Sequence, residues 1–170
     1  KLATLSVRVL HEQAIAAALE RVADVACAFG ATVGFEWGGA ERAGAEKRAH
    51  CKLFFPTVWV DVTGCARLFG PTIELGERAL ADRLLEAVRA IGHEGAAAVA
   101  DGPRIAAALA TSIALTGAFG ARVVPSGEAR RALEGVPLGV LPLAEADLGW
   151  LSKIGVRTAG ELAKLPAASL

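Results

Sequence analysis

From Leu53 to Val62 the chain runs Leu-Phe-Phe-Pro-Thr-Val-Trp-Val-Asp-Val, apolar almost throughout. A strand with one wet face alternates apolar and polar residues, whereas a continuous apolar strand needs cover on both faces. This run predicts a buried central strand, with Phe54, Val58, Val60 and Val62 packed beneath helices. Upstream, Val33, Phe35 and Trp37 alternate at the two-residue period of a second strand. Between the two, residues 38–52 hold Gly-Gly and the charges Glu41, Arg42, Glu46, Lys47, Arg48 and Lys52, which reads as an exposed hairpin loop.

The flanking segments supply the helices. Ile15, Leu19, Val22, Val25 and Phe29 recur at helical spacing and stop at Gly30. Leu80, Leu84, Leu85, Val88 and Ile91 mark the apolar face of a long helix over 74–91, expected to cover the central strand together with the helix at 11–29. Leu5, Val7 and Val9 alternate with polar residues and predict a first strand. A short strand is expected near Ala96–Ala100, then a helix opening at Asp101-Gly102-Pro103, where proline in the first turn loses no hydrogen bond. Ile105, Leu109 and Ile113 line that helix, Gly117 closes it, and Arg122-Val123-Val124 reads as an edge strand. Strands interleaved with amphipathic helices give an α+β fold, with helices on one face of a sheet. Beyond Pro125-Ser126-Gly127 only short helices are predicted, at Glu128–Leu133, Ala144–Leu151 and Thr158–Leu165, which places a domain boundary there.

Composition narrows the function classes. Formal net charge is zero, whereas an autonomous nucleic-acid-binding domain is usually strongly basic. No window holds the roughly 18 unbroken apolar residues of a membrane span, and the first residues show no charged-then-apolar leader pattern, so secretion is not expected. Cys27, Cys51 and Cys65 are odd in number and lack CxxC spacing, which fits reduced intracellular thiols. His50, Cys51 and Cys65 supply three ligands at most, short of a closed zinc site, so no metal is expected. The chain opens on Lys1 and contains no methionine, as expected of a piece of a longer protein.

Three segments carry a family resemblance. Val-Asp-Val-Thr-Gly-Cys-Ala-Arg-Leu-Phe-Gly at 60–70 resembles the palm strand and turn of Y-family translesion DNA polymerases, and its Gly-Cys is similar to the ImuB-type branch. Val-Pro-Leu-Gly-Val-Leu at 136–141 resembles the start of that family's thumb. Ile-Gly-Val-Arg-Thr-Ala-Gly-Glu-Leu-Ala-Lys-Leu-Pro at 154–166 is similar to the thumb's helix-hairpin-helix end. The resemblance implies a ferredoxin-like polymerase palm over 1–126, lacking its first strand and the fingers, followed over 127–170 by a partial, all-helical thumb.

In active members a Ser-x-Asp-Glu motif precedes this strand, and here it falls on Phe54, Phe55, Pro56 and Thr57. Two-metal phosphoryl transfer needs carboxylates that hold paired Mg²⁺ ions about 4 Å apart, and proline and threonine supply none. The family's triphosphate-binding lysine falls on Ala107; residues 105–110 hold no cation, and Arg104 is the nearest. The resemblance therefore implies a non-catalytic protein without cofactor or catalytic residues. Its expected role is a cytoplasmic adaptor in bacterial DNA damage tolerance, SOS mutagenesis and translesion synthesis. Its partners would be primer–template DNA, an error-prone replicative-type polymerase, the sliding clamp and an accessory mutagenesis protein, bound mostly through regions outside 1–170. The alternatives are an active translesion polymerase with displaced acids and a plain DNA-binding repair module.

Asp61 is expected to accept hydrogen bonds from the Thr63-Gly64-Cys65 turn. DNA contact is expected at the hairpin of Lys153, Gly155, Arg157 and Thr158, through outward-facing amides and a helix N-terminus. Thr158 and Glu161 form a T-x-x-E capping box. Pro142-Leu143-Ala144-Glu145-Ala146-Asp147 replaces the family's first Gly-Ile-Gly hairpin and adds two acids.

Overall fold

A computed structural model describes residues 12–36 and 56–166. The strand expected at 4–9, the loop at 38–52 and the beginning of the apolar run, Phe54 included, lie outside the described residues. What is described is a mixed α+β arrangement of helices with small sheets.

Helix α1, Glu12–Ala26, packs its buried Leu19 and Ala26 side toward the first strand pair. Strands β1, Thr32–Glu36, and β2, Thr57–Asp61, are antiparallel, with Gly34 opposite Trp59. The indole of Trp59 lies against Gly34 where any Cβ would collide with the ring. An aromatic folded across a strand glycine covers backbone that glycine leaves bare.

The apolar run does form a strand, but its burial falls short of the expectation. Val58 and Val60 are half-buried, and Val62 lies past the strand end. Among the described residues β2 has a strand neighbour on one edge only, and the helices packed on it are α1 and the helix over Pro103–Leu115. Helix α2, Ile73–Ala90, chiefly covers a second strand pair instead.

That second pair is β3, Ala97–Val99, and β4, Ala121–Val123, which run parallel. Parallel neighbours need a crossover of a dozen or more residues, supplied by helix α3, Pro103–Leu115. Pro103 occupies its first turn as expected. The Thr72 hydroxyl caps α2 by accepting from the Leu75 amide at 3.3 Å. Gly76, Leu80, Ala81, Leu85 and Val88 then form its buried stripe.

Past β4 come α4, Ala129–Leu133, a 3-10 turn at Leu138–Val140, α5, Glu145–Lys153, and α6, Ala159–Leu162. The helix expected to reach Leu165 ends at Leu162, although Leu165 still packs with Leu151 and Val156. Among the described residues two apolar clusters organise the packing. One joins Ala108, Leu109 and Val124 to Ala132 and Val136, so α4 shares a core with α3. The other gathers Leu138, Leu151 and Val156, and half-buried Leu141 touches both. Asp101 pins the junction at 126–127, accepting from the Ser126 hydroxyl at 2.9 Å and the Gly127 amide at 2.8 Å. Among the described residues no helix is long and apolar enough to cross a membrane.

Candidate nucleic-acid interface

Exposed Pro56 immediately precedes β2, which opens with half-buried Thr57. Asp61 closes it. Its Oδ1 accepts the Thr63 amide at 3.0 Å, the local turn expected from the sequence. Hydrogen bonds from the Thr63 hydroxyl and amide hold the Asp61 carboxyl below its usual range. Gly64 follows at φ 79°, and a 3-10 turn over Cys65–Leu68 leads to α2. This turn is locked from behind: a Cβ on Gly76 would strike the Ala66 carbonyl oxygen.

Ala107 is a half-buried residue of α3, and Arg104 is exposed in that helix's first turn. The other notable acid here is Glu77. Partial burial, with repulsion from Asp101 and Glu74, raises its carboxyl above the usual range. Asp101 is held low by the Gly127 amide and the Ser126 hydroxyl. Among the described residues no group of three or more His, Cys, Asp or Glu side chains has the geometry to hold a metal ion. Cys27 and Cys65 carry free thiols; His50 and Cys51 lie outside the described residues.

At the hairpin between α5 and α6 the turn forms where expected. Lys153 ends α5, Ile154 caps it, and Gly155 takes φ 85°, a left-handed geometry that glycine adopts without steric cost. Lys153 and Arg157 are exposed, and neither has an ion-pair partner among the described residues. The expected outward amides are corrected by the hydrogen bonds. Ile154 N donates to Trp150 O at 3.2 Å, Gly155 N to Ser152 O at 3.1 Å and Val156 N to Leu151 O at 2.9 Å. Arg157 N and Thr158 N both donate to Glu161 Oε2, at 2.7 and 3.1 Å. Ala159 N reaches Val136 O at 2.9 Å and Gly160 N reaches Glu134 O at 3.0 Å. Glu161 N completes the capping box on Thr158 Oγ1 at 3.3 Å.

Every backbone N–H from Ile154 to Glu161 is thus occupied. Where a phosphate would sit, the Glu161 carboxylate already sits, held below its usual range chiefly by the Arg157 and Thr158 amides. Gly155 and Thr158 therefore shape the turn and present no free amide. The exposed cations flanking this turn are the Lys153 and Arg157 side chains. The sequence carried the signal for this, since the T-x-x-E box places a carboxylate over those amides. The acids Glu145 and Asp147 have a local role, lying in the first turn of α5 where negative charge suits the helix dipole.

The chain has no significant match among protein-family models, curated proteins or solved structures.

Proposed function

We propose that the chain is the palm and partial thumb of an ImuB-type, catalytically silent Y-family homologue. It acts as a non-enzymatic adaptor in bacterial DNA damage tolerance, touching DNA itself. An error-prone polymerase, the sliding clamp and an accessory mutagenesis protein are engaged largely from outside residues 1–170. The observation that carries the reading is the state of β2. The two positions where the resemblance requires carboxylates are Pro56, just before the strand, and Thr57, its first residue, and the strand's one acid, Asp61, caps its own turn. The lack of a cation at Ala107 supports the same conclusion from a separate element.

The adaptor reading is tested by primer extension. With Mg²⁺, all four dNTPs and primed template, the protein should extend no primer. Template-directed incorporation that Asp61→Ala abolishes would establish an active polymerase instead.

DNA contact in this reading is electrostatic and indifferent to sequence. Lys153 and Arg157 each neutralise about one phosphate, so replacing either with alanine should lower the salt slope of binding by roughly one unit. An unchanged slope in both variants places DNA elsewhere on the protein.

A further inference from the structure

The hairpin whose amides are occupied still presents an unusual side-chain surface. Trp150 and Ile154 lie four residues apart, adjacent on one side of the α5 end, and remain 46% and 49% exposed. Leu151, between them in sequence, is buried in the cluster with Leu138 and Val156. The core thus takes the leucine and leaves the larger indole half in water. Lys153 stands three residues from Trp150, and Arg157 follows across the Gly155 turn. Among the described residues both cations lack an acidic partner.

An indole face, an aliphatic neighbour and two unpaired cations suit a ligand that offers flat π-surfaces and regularly spaced negative charge together. Unpaired nucleotides have both, whereas a duplex hides its base faces in the stack. A protein surface can space carboxylates regularly along a helix, but it does not pair each anion with a stackable base face as a single strand does. Asp147, one turn before Trp150, and the Glu161 carboxylate on the Arg157 and Thr158 amides bound the surface on either side, so phosphates are favoured at the Lys153 and Arg157 side-chain ends and repelled beyond them.

We propose that Trp150 is a stacking platform for an unpaired base of single-stranded nucleic acid, flanked by Ile154, with Lys153 and Arg157 neutralising the adjacent phosphates. This rests on the DNA-contact reading above and deepens it, adding a grip on base to the side-chain contact with phosphate. It makes the hairpin selective for single strands, as at the unpaired template beyond a stalled primer.

The test titrates the chain with an oligothymidylate of about ten nucleotides, within the usual footprint of such surfaces, and with a blunt duplex of equal length. Trp150→Ala should weaken single-strand binding roughly five- to a hundredfold, the range for one stacked base. Its salt slope and its duplex affinity should stay unchanged. Trp150→Phe keeps a stacking ring and should recover most of the affinity. It should also lose the oligothymidylate-dependent quenching of intrinsic fluorescence, although Trp37 and Trp59 remain. Lys153→Ala and Arg157→Ala should each lower the salt slope without removing that quenching.

If Trp150→Ala leaves oligothymidylate affinity unchanged while Arg157→Ala still lowers the salt slope, the platform is wrong and the electrostatic reading stands; the indole then belongs to a protein contact. Equal loss of single-strand and duplex affinity in Trp150→Ala also overturns it. If the wild-type chain binds neither DNA, both readings fall together. Circular dichroism melting of each variant guards against unfolding as the cause, and Trp150→Phe keeps the question decidable should Trp150→Ala fold poorly.

Discussion

The region from α1 to β4 and the region after Pro125 hold together by different means. The first sets helices of 15, 18 and 13 residues over strand pairs, with close glycine contacts such as Gly76 on Ala66 and Gly34 on Trp59. Its stability comes from long apolar stripes. The second has helices of five, nine and four residues, too short to persist alone. It is stitched by backbone hydrogen bonds between distant segments: Ala159 N to Val136 O, Gly160 N to Glu134 O and Leu138 N to Arg157 O. A segment that spends its amides on its own architecture has few left for a ligand. In the adaptor reading proposed above, nucleic-acid contact in this region falls to side chains.

The largest expected effects probe the core that joins the two regions. Leu109 is fully buried between α3 and α4, so Leu109→Ala should cost about 2–5 kcal/mol. Urea unfolding should shift as one transition, with amides of both regions losing protection together. Leu151→Ala, in the smaller cluster, should cost toward the lower end of that range. It should expose amides of α5 and α6 to hydrogen exchange while those of α2 stay protected. Two separate transitions in Leu109→Ala would mean that the shared core does not couple the regions.

A pair of helix glycines sharpens the contrast. Gly76→Ala drives a methyl into the Ala66 carbonyl and should destabilise by about 1–3 kcal/mol. Gly149, inside α5, has open space around it, so Gly149→Ala should stabilise by about 0.5–1 kcal/mol. Thermal melts of the two variants should move in opposite directions.

The capping box gives the smallest effect. Thr158→Ala should cost about 0.5 kcal/mol, at the low end for a helix cap, because Glu161 still accepts the Arg157 and Thr158 amides. Its pH dependence has a definite sign. Asp61, Asp101 and Glu161 all have carboxyls lowered by hydrogen-bond donors. Their contribution is complete above the ordinary carboxylate pKa and is lost as pH falls through the lowered folded values. Glu77 works the other way: its raised carboxyl weakens the fold as pH rises above the ordinary carboxylate value and through its own, higher folded value. Glu77→Gln should therefore flatten the loss on the neutral side, and Glu161→Gln the loss on the acid side. Stability curves from pH 3 to 7 that are superimposable for wild type and both variants would contradict these assignments.

Much of this was legible locally. The apolar period located α1, α2 and α3, Pro103 and Thr158 marked helix starts, and the Asp61 turn followed from an acid two residues before a threonine. Such signals act within a few residues, so the chain states them directly. The positions of Pro56, Thr57 and Ala107, on which the adaptor proposal turns, are likewise sequence facts. Tertiary structure alone decided the pairing of β3 with β4, the placement of α3 against β2, and the joining of Ala132 and Val136 to the Leu109 core. It also decided the fate of the hairpin amides. The carbonyls that take Ala159 and Gly160 belong to Val136 and Glu134, more than twenty residues earlier, and no local pattern says which distant acceptor will arrive first.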